Sequence, residues 1–420
     1  MLSQTPSSTL QVNSFLNLSH GICTANPINV EHLLRANFQN YIKGSRYYNV
    51  LNELLGQGIF NVDEHAWILQ RKIASHEFNT KSLKHFISDV VKSEITNRLM
   101  TFLSKACNDD MVIDLQQVLQ NFTFNNICNV AFGVDPAYLQ NSSFVKAFDD
   151  AVEICSSRFM SPIPAVWKMK RVMNIGSEKR FKAAVKVINE YGMEFQDQEQ
   201  RRKFLRDIII SFILAGKDST STALTWFFWL IAGNPRCARL IRAELSSLPE
   251  LELRPRIFSY DELKKLHYLH AALSESLRLF PPVPINSRLT VDKDVLPDGT
   301  YVGKGWFADY SAYAVGRMEN VWGKDCREFK PERWLDADGV FQRPDQFRFP
   351  VFHCGPRMCL GKEMAYVQMK SIAAVVMHEF DIIALDGGAN AEKMMNPPYS
   401  LSLLLKMRGG FPVQIKRRQQ

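Results

Sequence analysis

Ten residues near the carboxyl end, from Phe352 to Gly361, constrain the fold more than any other part of the sequence. They read FHCGPRMCLG, and a helical pattern begins directly after them. Glycines on both sides of Cys359 allow a turn in which backbone N–H groups point at the sulfur, and the positive end of the following helix favours a thiolate. A lone cysteine is more often a small buried hydrophobic residue. The surrounding pattern F-x-x-G-x-R-x-C-x-G instead predicts that Cys359 is a metal ligand.

This pattern resembles the heme-binding loop of the cytochrome P-450 superfamily, and the match is highly specific. The resemblance implies that Cys359 is the axial thiolate ligand of heme b (iron protoporphyrin IX) and that Arg357 binds a heme propionate. It also implies that Phe352, Gly355 and Gly361 shape the loop around the cofactor. The implied fold is mainly α, a helix-rich single domain with small antiparallel β-sheets around a buried heme.

Two further motifs match the family in the expected order. The segment ESLR resembles the E-x-x-R motif, which places Glu275 and Arg278 on one helix face. The segment PERW follows, and the resemblance implies that Arg333 completes this network. Because an isolated buried charge is costly, three paired groups behind the heme are expected to act as a unit. E-x-x-R alone is a weak signal, since it is common on surface helices, but its spacing from the cysteine loop adds weight.

The stretch from about 203 to 232 predicts the longest helix, apolar at both ends and polar in the middle. Its polar notch, AGKDST, resembles the oxygen-activation site of the family's long central helix. The resemblance implies that Asp218, Ser219 and Thr220 relay protons during oxygen activation. The family usually has threonine at position 219, and the freer side chain of serine leaves the relay geometry less fixed. Alternatively, the hydroxyls only bond to helix carbonyls.

Three more residues are candidate heme contacts. The segment WILQR matches the family's W-x-x-x-R, in which Trp67 and Arg71 reach a heme propionate from one helix face. Arg288, which follows a proline-rich turn, is a similar candidate. Each of the two arginines, taken alone, would more often be an exposed surface residue.

The remaining patterns predict helices joined by polar turns, with few strands. Asn26-Pro27 opens a helix, because proline loses no hydrogen bond in the first turn. The segment 288–307 alternates and turns at Asp298-Gly299, as short antiparallel strands do. A closing hairpin is expected through Gly409-Gly410. Amphipathic stretches predict helices at 64–74, 82–106, 115–131, 178–194, 263–280 and 362–378.

Composition excludes the disordered, collagen-like and disulfide-scaffold classes. The 420 residues are 46% hydrophobic and 22% charged, which is enough to bury one large core, and we expect one domain over 1–420. The net charge of +8 favours an acidic partner protein or an anionic membrane surface over nucleic acid, although a merely solvated surface explains it equally well. Eight cysteines without a C-x-x-C pair indicate a reducing compartment.

Two absences bear on membrane and partner. No run reaches the roughly 18 apolar residues of a membrane span, and the start, MLSQTPSSTLQ, lacks the layout of a signal peptide. The sequence therefore predicts a chain without its own anchor. No P-loop or dinucleotide fingerprint is present, so electrons must come from a partner.

Longer strings, such as GIFNVDEHAW and FILAGKDSTSTALTWFFWL, resemble the plant fatty-acid omega-hydroxylase branch and its relatives that oxidise jasmonoyl-amino acid conjugates. This implies insertion of one atom of O2 into a C–H bond of a fatty-acid-like substrate. NADPH-cytochrome P-450 reductase would supply electrons at the cytosolic face of the endoplasmic reticulum membrane, with membrane association implied by the resemblance alone. The pocket would involve the loop before Trp67, the helix face Ile209, Ile213 and Ala215, the turn 283–287 and the segment 398–401.

Two departures from the family qualify this prediction. The N-terminal anchor of the family and a segment before the long central helix, at about 195–203, are expected to be missing. A truncated, non-catalytic family member therefore stays open as an alternative. A third possibility is a rearranging enzyme that uses heme thiolate without oxygen, against which the Asp218-Ser219 pair argues.

Overall fold

The computed structural model describes residues 1–13, 20–78, 80–132, 143–161, 163–193, 199–249, 255–385 and 394–418. Helices dominate these residues, and the sheets are small. The predicted mainly α, helix-rich domain with small antiparallel sheets is confirmed. Part of the segment predicted at about 195–203, namely 195–198, lies outside the described residues.

Helices run through the described chain from one end to the other, with π-helical turns at His32–Ala36, Phe86–Val91 and Ile95–Leu99. Their bounds in chain order are α1 Pro27–Glu31, α2 Gly44–Leu55, α3 Glu64–Ser75, α4 Thr80–His85, α5 Lys92–Glu94, α6 Met100–Asn108, α7 Leu115–Phe132, α8 Ser143–Phe159, α9 Pro164–Met173, α10 Gly176–Met193, α11 Glu199–Ala232, α12 Pro235–Ser246, α13 Tyr260–Lys265, α14 His267–Leu279, α15 Ala312–Val315, α16 Glu319–Trp322 and α17 Lys362–Glu379.

The strands form small sheets at the periphery of the helices. A five-stranded sheet has the order β1-β2-β8-β5-β3, in which only the β2–β8 pair is parallel. A three-stranded sheet has the order β4-β12-β9, and two hairpins, β6–β7 and β10–β11, stand apart. The strands are β1 Thr9–Asn13, β2 His20–Thr24, β3 Tyr41–Ile42, β4 Val112–Asp114, β5 Asn286–Thr290, β6 Asp294–Val295, β7 Tyr301–Val302, β8 Phe307–Tyr310, β9 Phe380–Ala384, β10 Tyr399–Leu401, β11 Leu405–Met407 and β12 Pro412–Arg417.

The long helix α11 crosses the core. Residues 220–231 of this helix are buried, and the Trp226 ring stacks on Phe280 with centroids 4.5 Å apart. The indole N–H of Trp226 also donates to the Leu405 carbonyl at 2.7 Å, which ties α11 to β11. Its first half packs on α7, where a Cβ at Gly216 would lie 2.8 Å from Ile127. The glycine thus permits the close approach of the two helices.

Two local predictions were wrong. The stretch 263–280 is two helices, because the chain leaves helical geometry at Leu266 and the Glu244 carboxylate then accepts the N–H groups of Tyr268 and Leu269 at the start of α14. The expected hairpin at Gly409-Gly410 does not form. The strand that follows pairs with β4 and β9 instead.

Candidate functional site

The cysteine loop is held by its own backbone. The Cys359 N–H donates to the Phe352 carbonyl at 2.8 Å, and Phe352 packs beside Tyr366 of α17. Burial raises the pKa of the Cys359 thiol, whereas the N–H of Gly361 points at the sulfur and opposes this shift. Gly355 has φ +63° and lies against the Leu34 carbonyl, 2.0 Å from where a Cβ would stand. Only glycine fits there, and it locks the loop to the turn after α1.

A cluster of buried cations lies beside this loop, which we call the basic cluster: Lys43, Arg288 and Arg357. Arg288 is 1% exposed and donates to the Ser287 carbonyl at 2.9 Å and to the Tyr310 hydroxyl, whereas its Nε has no partner in the part of the chain that the structure describes. Among the described residues it forms no ion pair with a carboxylate. Burial, and then Arg288 and Arg357, hold the pKa of Lys43 well below its ordinary range.

Asp63 is the carboxylate that balances part of this charge. It accepts a hydrogen bond from Arg357 at 2.6 Å and from the backbone N–H groups of Lys43 and Gly44 at 3.0 and 2.8 Å. Burial nevertheless lowers the pKa of Arg357 to about 10, with Arg288 adding repulsion. Two guanidinium groups and the Lys43 amine share this one acid, so the cluster suits an anionic group with more than one carboxylate. Heme, with its two propionates and an iron that takes a thiolate, fits these residues.

Trp67 and Arg71 reach the same side of the loop from α3. The guanidinium of Arg357 lies 4.5 Å from the centre of the Trp67 ring, a cation–π contact. Arg71 donates to the Met358 carbonyl at 2.7 Å, next to the ligand sulfur. The structure therefore brings Trp67, Arg71, Arg288 and Arg357 together around the loop. Sequence reasoning singled out neither Lys43, which stands in no motif, nor Asp63, although Asp63 lies within the string GIFNVDEHAW.

The structure also brings Glu275, Arg278 and Arg333 together, in what we call the glutamate network. Both carboxylate oxygens of Glu275 face Arg278 at 2.7 Å, and Arg333 adds a bond of 2.8 Å. The Trp334 indole completes the shell at 2.9 Å. Other N–H groups of Arg278 donate to the carbonyls of Gly316, Cys326 and Glu328. Burial disfavours a charged Arg333, but Glu275 outweighs it and raises the pKa of Arg333.

The polar notch of α11 divides its side chains between two surroundings. Asp218 is 1% exposed, and its two oxygens meet Lys217 at 3.0 Å and Lys406 at 3.2 Å. Ser219 donates its hydroxyl to the Ala215 carbonyl at 2.5 Å, one turn back along the helix. Thr220 is buried. Asp218 and Ser219, adjacent in sequence, thus bind different partners.

The proposed pocket residues do not share one surrounding. Ile213 is fully buried in a cluster with α8 and α10, whereas Ala215 is exposed. Ile285 and Leu401 are also exposed, by 44% and 40%. These exposed apolar side chains can face a ligand, whereas Ile213 packs in the hydrophobic core.

A partly buried cysteine loop at a helix start, beside a basic cluster that has one acid, Asp63, among its partners, defines a heme-thiolate protein. Comparison with known proteins agrees. The family described as Cytochrome P450 matches residues 21–207 and 195–409. Cytochrome P450 94A1 of Vicia sativa is 45% identical over 98% of this chain and 84% of its own. For Cytochrome P450 CYP94D109 of Paris polyphylla the identity is 42% over 96% and 86%, and for Cytochrome P450 94C1 of Arabidopsis thaliana 39% over 100% and 88%.

The chain belongs to the cytochrome P450 family. It is therefore a monooxygenase with a heme-iron cofactor, which uses O2 and a redox partner. None of the helices in the described ranges combines the length and the apolar character that crossing a membrane requires.

Proposed function

We propose that this enzyme hydroxylates fatty acids, at the omega position, or related carboxylic acids, and that its cofactor is heme b. The observation that carries the proposal is the position of the basic cluster beside the Cys359 loop. The loop supplies a sulfur ligand, and the cluster supplies cations for two carboxylates. Heme b with a thiolate ligand activates O2 so that one oxygen atom enters a C–H bond and the other leaves as water. The electrons would come from NADPH-cytochrome P-450 reductase.

In this proposal each group of side chains has a defined task. Cys359 supplies the sulfur, and the N–H of Gly361 stabilises its negative charge. Arg71, Arg288, Arg357 and Lys43 bind the propionates and so orient the cofactor. Asp218, Ser219 and Thr220 supply protons along the notch. For this task the Ser219 hydroxyl would turn from the Ala215 carbonyl towards Asp218 and Thr220.

The proposed substrate class rests on exposed apolar side chains and on the relatives of this chain. The exposed apolar residues Ala215, Ile285 and Leu401 suit an acyl chain. The relatives named above are P450s of the 94 series, and their names do not select between fatty acids and jasmonoyl-amino acid conjugates. Product analysis with lauric acid, oleic acid and jasmonoyl-isoleucine decides this point. Hydroxylation of none of the three by heme-loaded protein would contradict the assignment.

The cofactor assignment is tested by Cys359→Ala against Cys354→Ala. Cys354 is a buried cysteine of the same loop, and its thiol donates to the Gln346 carbonyl. We expect the reduced, carbon-monoxide-treated protein to show the red-shifted Soret band of thiolate-ligated heme, Cys354→Ala to keep it and Cys359→Ala to lose it. A band that survives in Cys359→Ala refutes the ligand assignment.

We also propose that the enzyme works at the cytosolic face of the endoplasmic reticulum membrane. Helix α9 supports membrane contact, because Trp167 is its only buried residue. Its outer surface exposes Val166, Met169, Val172 and Met173, with Lys168, Lys170 and Arg171 between them, as interfacial helices do.

We expect the protein to float with vesicles that contain phosphatidylserine, and the double variant Met169→Glu/Val172→Glu to float less. Val340→Glu, a change at an exposed valine elsewhere, is the control. Equal flotation of all three proteins would exclude α9 as the contact.

One observation favours a second candidate, a non-catalytic family member that lacks a segment before α11. The family match is broken into two stretches that overlap at 195–207. The alignment with the Vicia sativa relative has 446 positions, more than the 420 residues of this chain, so that relative has residues without a counterpart here. Protein that folds but binds no heme supports this candidate. The thiolate spectrum together with an NADPH-dependent product excludes it.

A further inference from the structure

Four side chains of alternating charge cross the protein at the polar notch. Asp149 of α8 meets Lys217 at 2.6 Å, Lys217 meets Asp218 at 3.0 Å, and Asp218 meets Lys406 of β11 at 3.2 Å. The ends of this chain are open to solvent, with Asp149 47% and Lys406 27% exposed. Its centre is closed, since Lys217 and Asp218 are 3% and 1% exposed. The buried Asp218 carboxylate is thus linked to the surface on one side by Lys217 and Asp149 and on the other side by Lys406.

Lys406 has little freedom to leave this position. Its neighbour Leu405 accepts a hydrogen bond from the Trp226 indole at 2.7 Å and donates to the Pro282 carbonyl at 2.9 Å. Its other neighbour, Met407, exchanges two hydrogen bonds with the buried Gln116 side chain, at 3.0 and 3.1 Å. β11 is therefore fixed on both sides of Lys406.

The lysines determine the charge of Asp218. Burial alone would raise its pKa, but Lys217 and then Lys406 overcome burial and lower it. The other titratable groups nearby face Lys217: Asp149 from α8, and from α7 Cys128, whose pKa burial raises to about 12. With both oxygens bound to ammonium groups, Asp218 is a poor proton carrier at neutral pH until one pair loosens.

We propose that Lys406 is a positioning residue for Asp218, and that through it the β10–β11 hairpin controls when the carboxylate can serve the notch. The proposal rests on the proposed role of Asp218 as the relay acid. The hairpin is suited to such control because Lys406 lies opposite Ser400 in its ladder, between the exposed Tyr399 and Leu401. Contact of an acyl chain with β10 would therefore reach Lys406 across a single strand pair.

The experiment is a titration of the Asp218 carboxyl by infrared spectroscopy of the full chain without substrate. Its band is assigned by its absence in Asp218→Asn. We expect Lys406→Gln to raise the midpoint by about one to three pH units, the usual effect of an opposite charge at this distance, and Lys406→Arg to restore it. Arg408→Gln removes a cation from the same hairpin without a contact to Asp218 and should leave the midpoint unchanged.

A second variant tests the hairpin itself. Gln116→Leu releases β11 but keeps Lys406, and we expect it to move the Asp218 midpoint in the same direction as Lys406→Gln. An unchanged midpoint in Lys406→Gln overturns the positioning role, and an unchanged midpoint in Gln116→Leu overturns control by the hairpin. Neither result depends on heme or on the identity of the substrate, so the proposed function stands or falls separately.

Turnover then shows whether positioning matters for catalysis. The fraction of NADPH converted to hydroxylated lauric acid, measured against pH, should shift its profile in Lys406→Gln. The same substitution in an Asp218→Asn background should have no further effect, because Lys406 acts through that carboxylate. Additive effects of the two substitutions would contradict this.

Discussion

The glutamate network and the basic cluster are both buried and charged, but they are completed differently. Both carboxylate oxygens of Glu275 accept hydrogen bonds from two guanidinium groups and an indole. Backbone carbonyls accept the other hydrogen bonds of Arg278. Within the described ranges, the three cations around Arg288 share one acid, and one guanidinium nitrogen of Arg288 has no partner. The first is complete without a ligand, whereas the second is a site that an anionic cofactor completes. The two should therefore respond oppositely to the loss of one charge.

The largest effect is expected for Glu275→Gln. Removal of this carboxylate charge leaves Arg278 buried without a carboxylate partner and Arg333 with Asp325 alone, and a broken buried pair typically costs about 3–5 kcal/mol of unfolding free energy. Urea unfolding of the heme-free protein measures it. The control is Glu332→Gln, which removes a carboxylate near the same network whose partners are Tyr268 and the exposed Arg236. Equal losses in both variants would contradict a special role for the network.

A smaller and opposite response is expected for Arg288→Met. Heme-free protein should be as stable as the parent or more stable, because the substitution removes an unpaired buried charge. Heme-loaded protein should lose heme roughly 10- to 100-fold more readily, the equivalent of about 1.5–3 kcal/mol for a hydrogen bond to a charged group. Heme transfer to an excess of an apo-globin measures this. A destabilised heme-free protein with unchanged heme retention would reverse the comparison.

The pH dependence of stability sharpens the comparison further. Burial, and after it Lys43, Arg288 and Arg357, lower the pKa of His353 to about 3 from its ordinary value of 6.5. The unfolded chain therefore binds more protons between these values, and stability falls as the pH falls through this window. His353→Gln should flatten the slope of unfolding free energy against pH there and leave the slope above about pH 7 unchanged.

Urea unfolding at several pH values, with the exposed His65→Gln as control, checks this. Bound propionates would offset the three cations, so loading with heme should also reduce the slope. A slope that is the same in all these proteins would show that the basic cluster does not act on His353.

The smallest effect is expected at the surface. Arg343 is 82% exposed and stands 4.0 Å from Glu363. Arg343→Gln should change the unfolding free energy by less than about 0.5 kcal/mol, and heme retention should not change. A larger change would mean that exposed charges near the loop cannot serve as a baseline for the other variants.

Motifs located the glutamate network before any coordinates, because Glu275 and Arg278 are one helical turn apart and PERW marks the third partner. Lys43 could not be found in this way. It follows β3, and its approach to Arg288 depends on the pairing of Tyr41 and Ile42 with Thr290 and Leu289, some 250 residues later. The turn at Gly409-Gly410 was visible locally, but the partners of the strand after it are set by the three-stranded sheet. Tertiary pairing of this kind leaves no local pattern.

The close contact of Gly355 with the Leu34 carbonyl has a consequence for biosynthesis. It joins two parts of the chain that leave the ribosome at very different times, and at roughly 5–20 residues per second the first waits for the second for tens of seconds. Neither the cysteine loop nor the complete basic cluster exists during this interval. The nascent chain is therefore only partly assembled during this interval, and its cofactor site is complete only after synthesis is nearly finished.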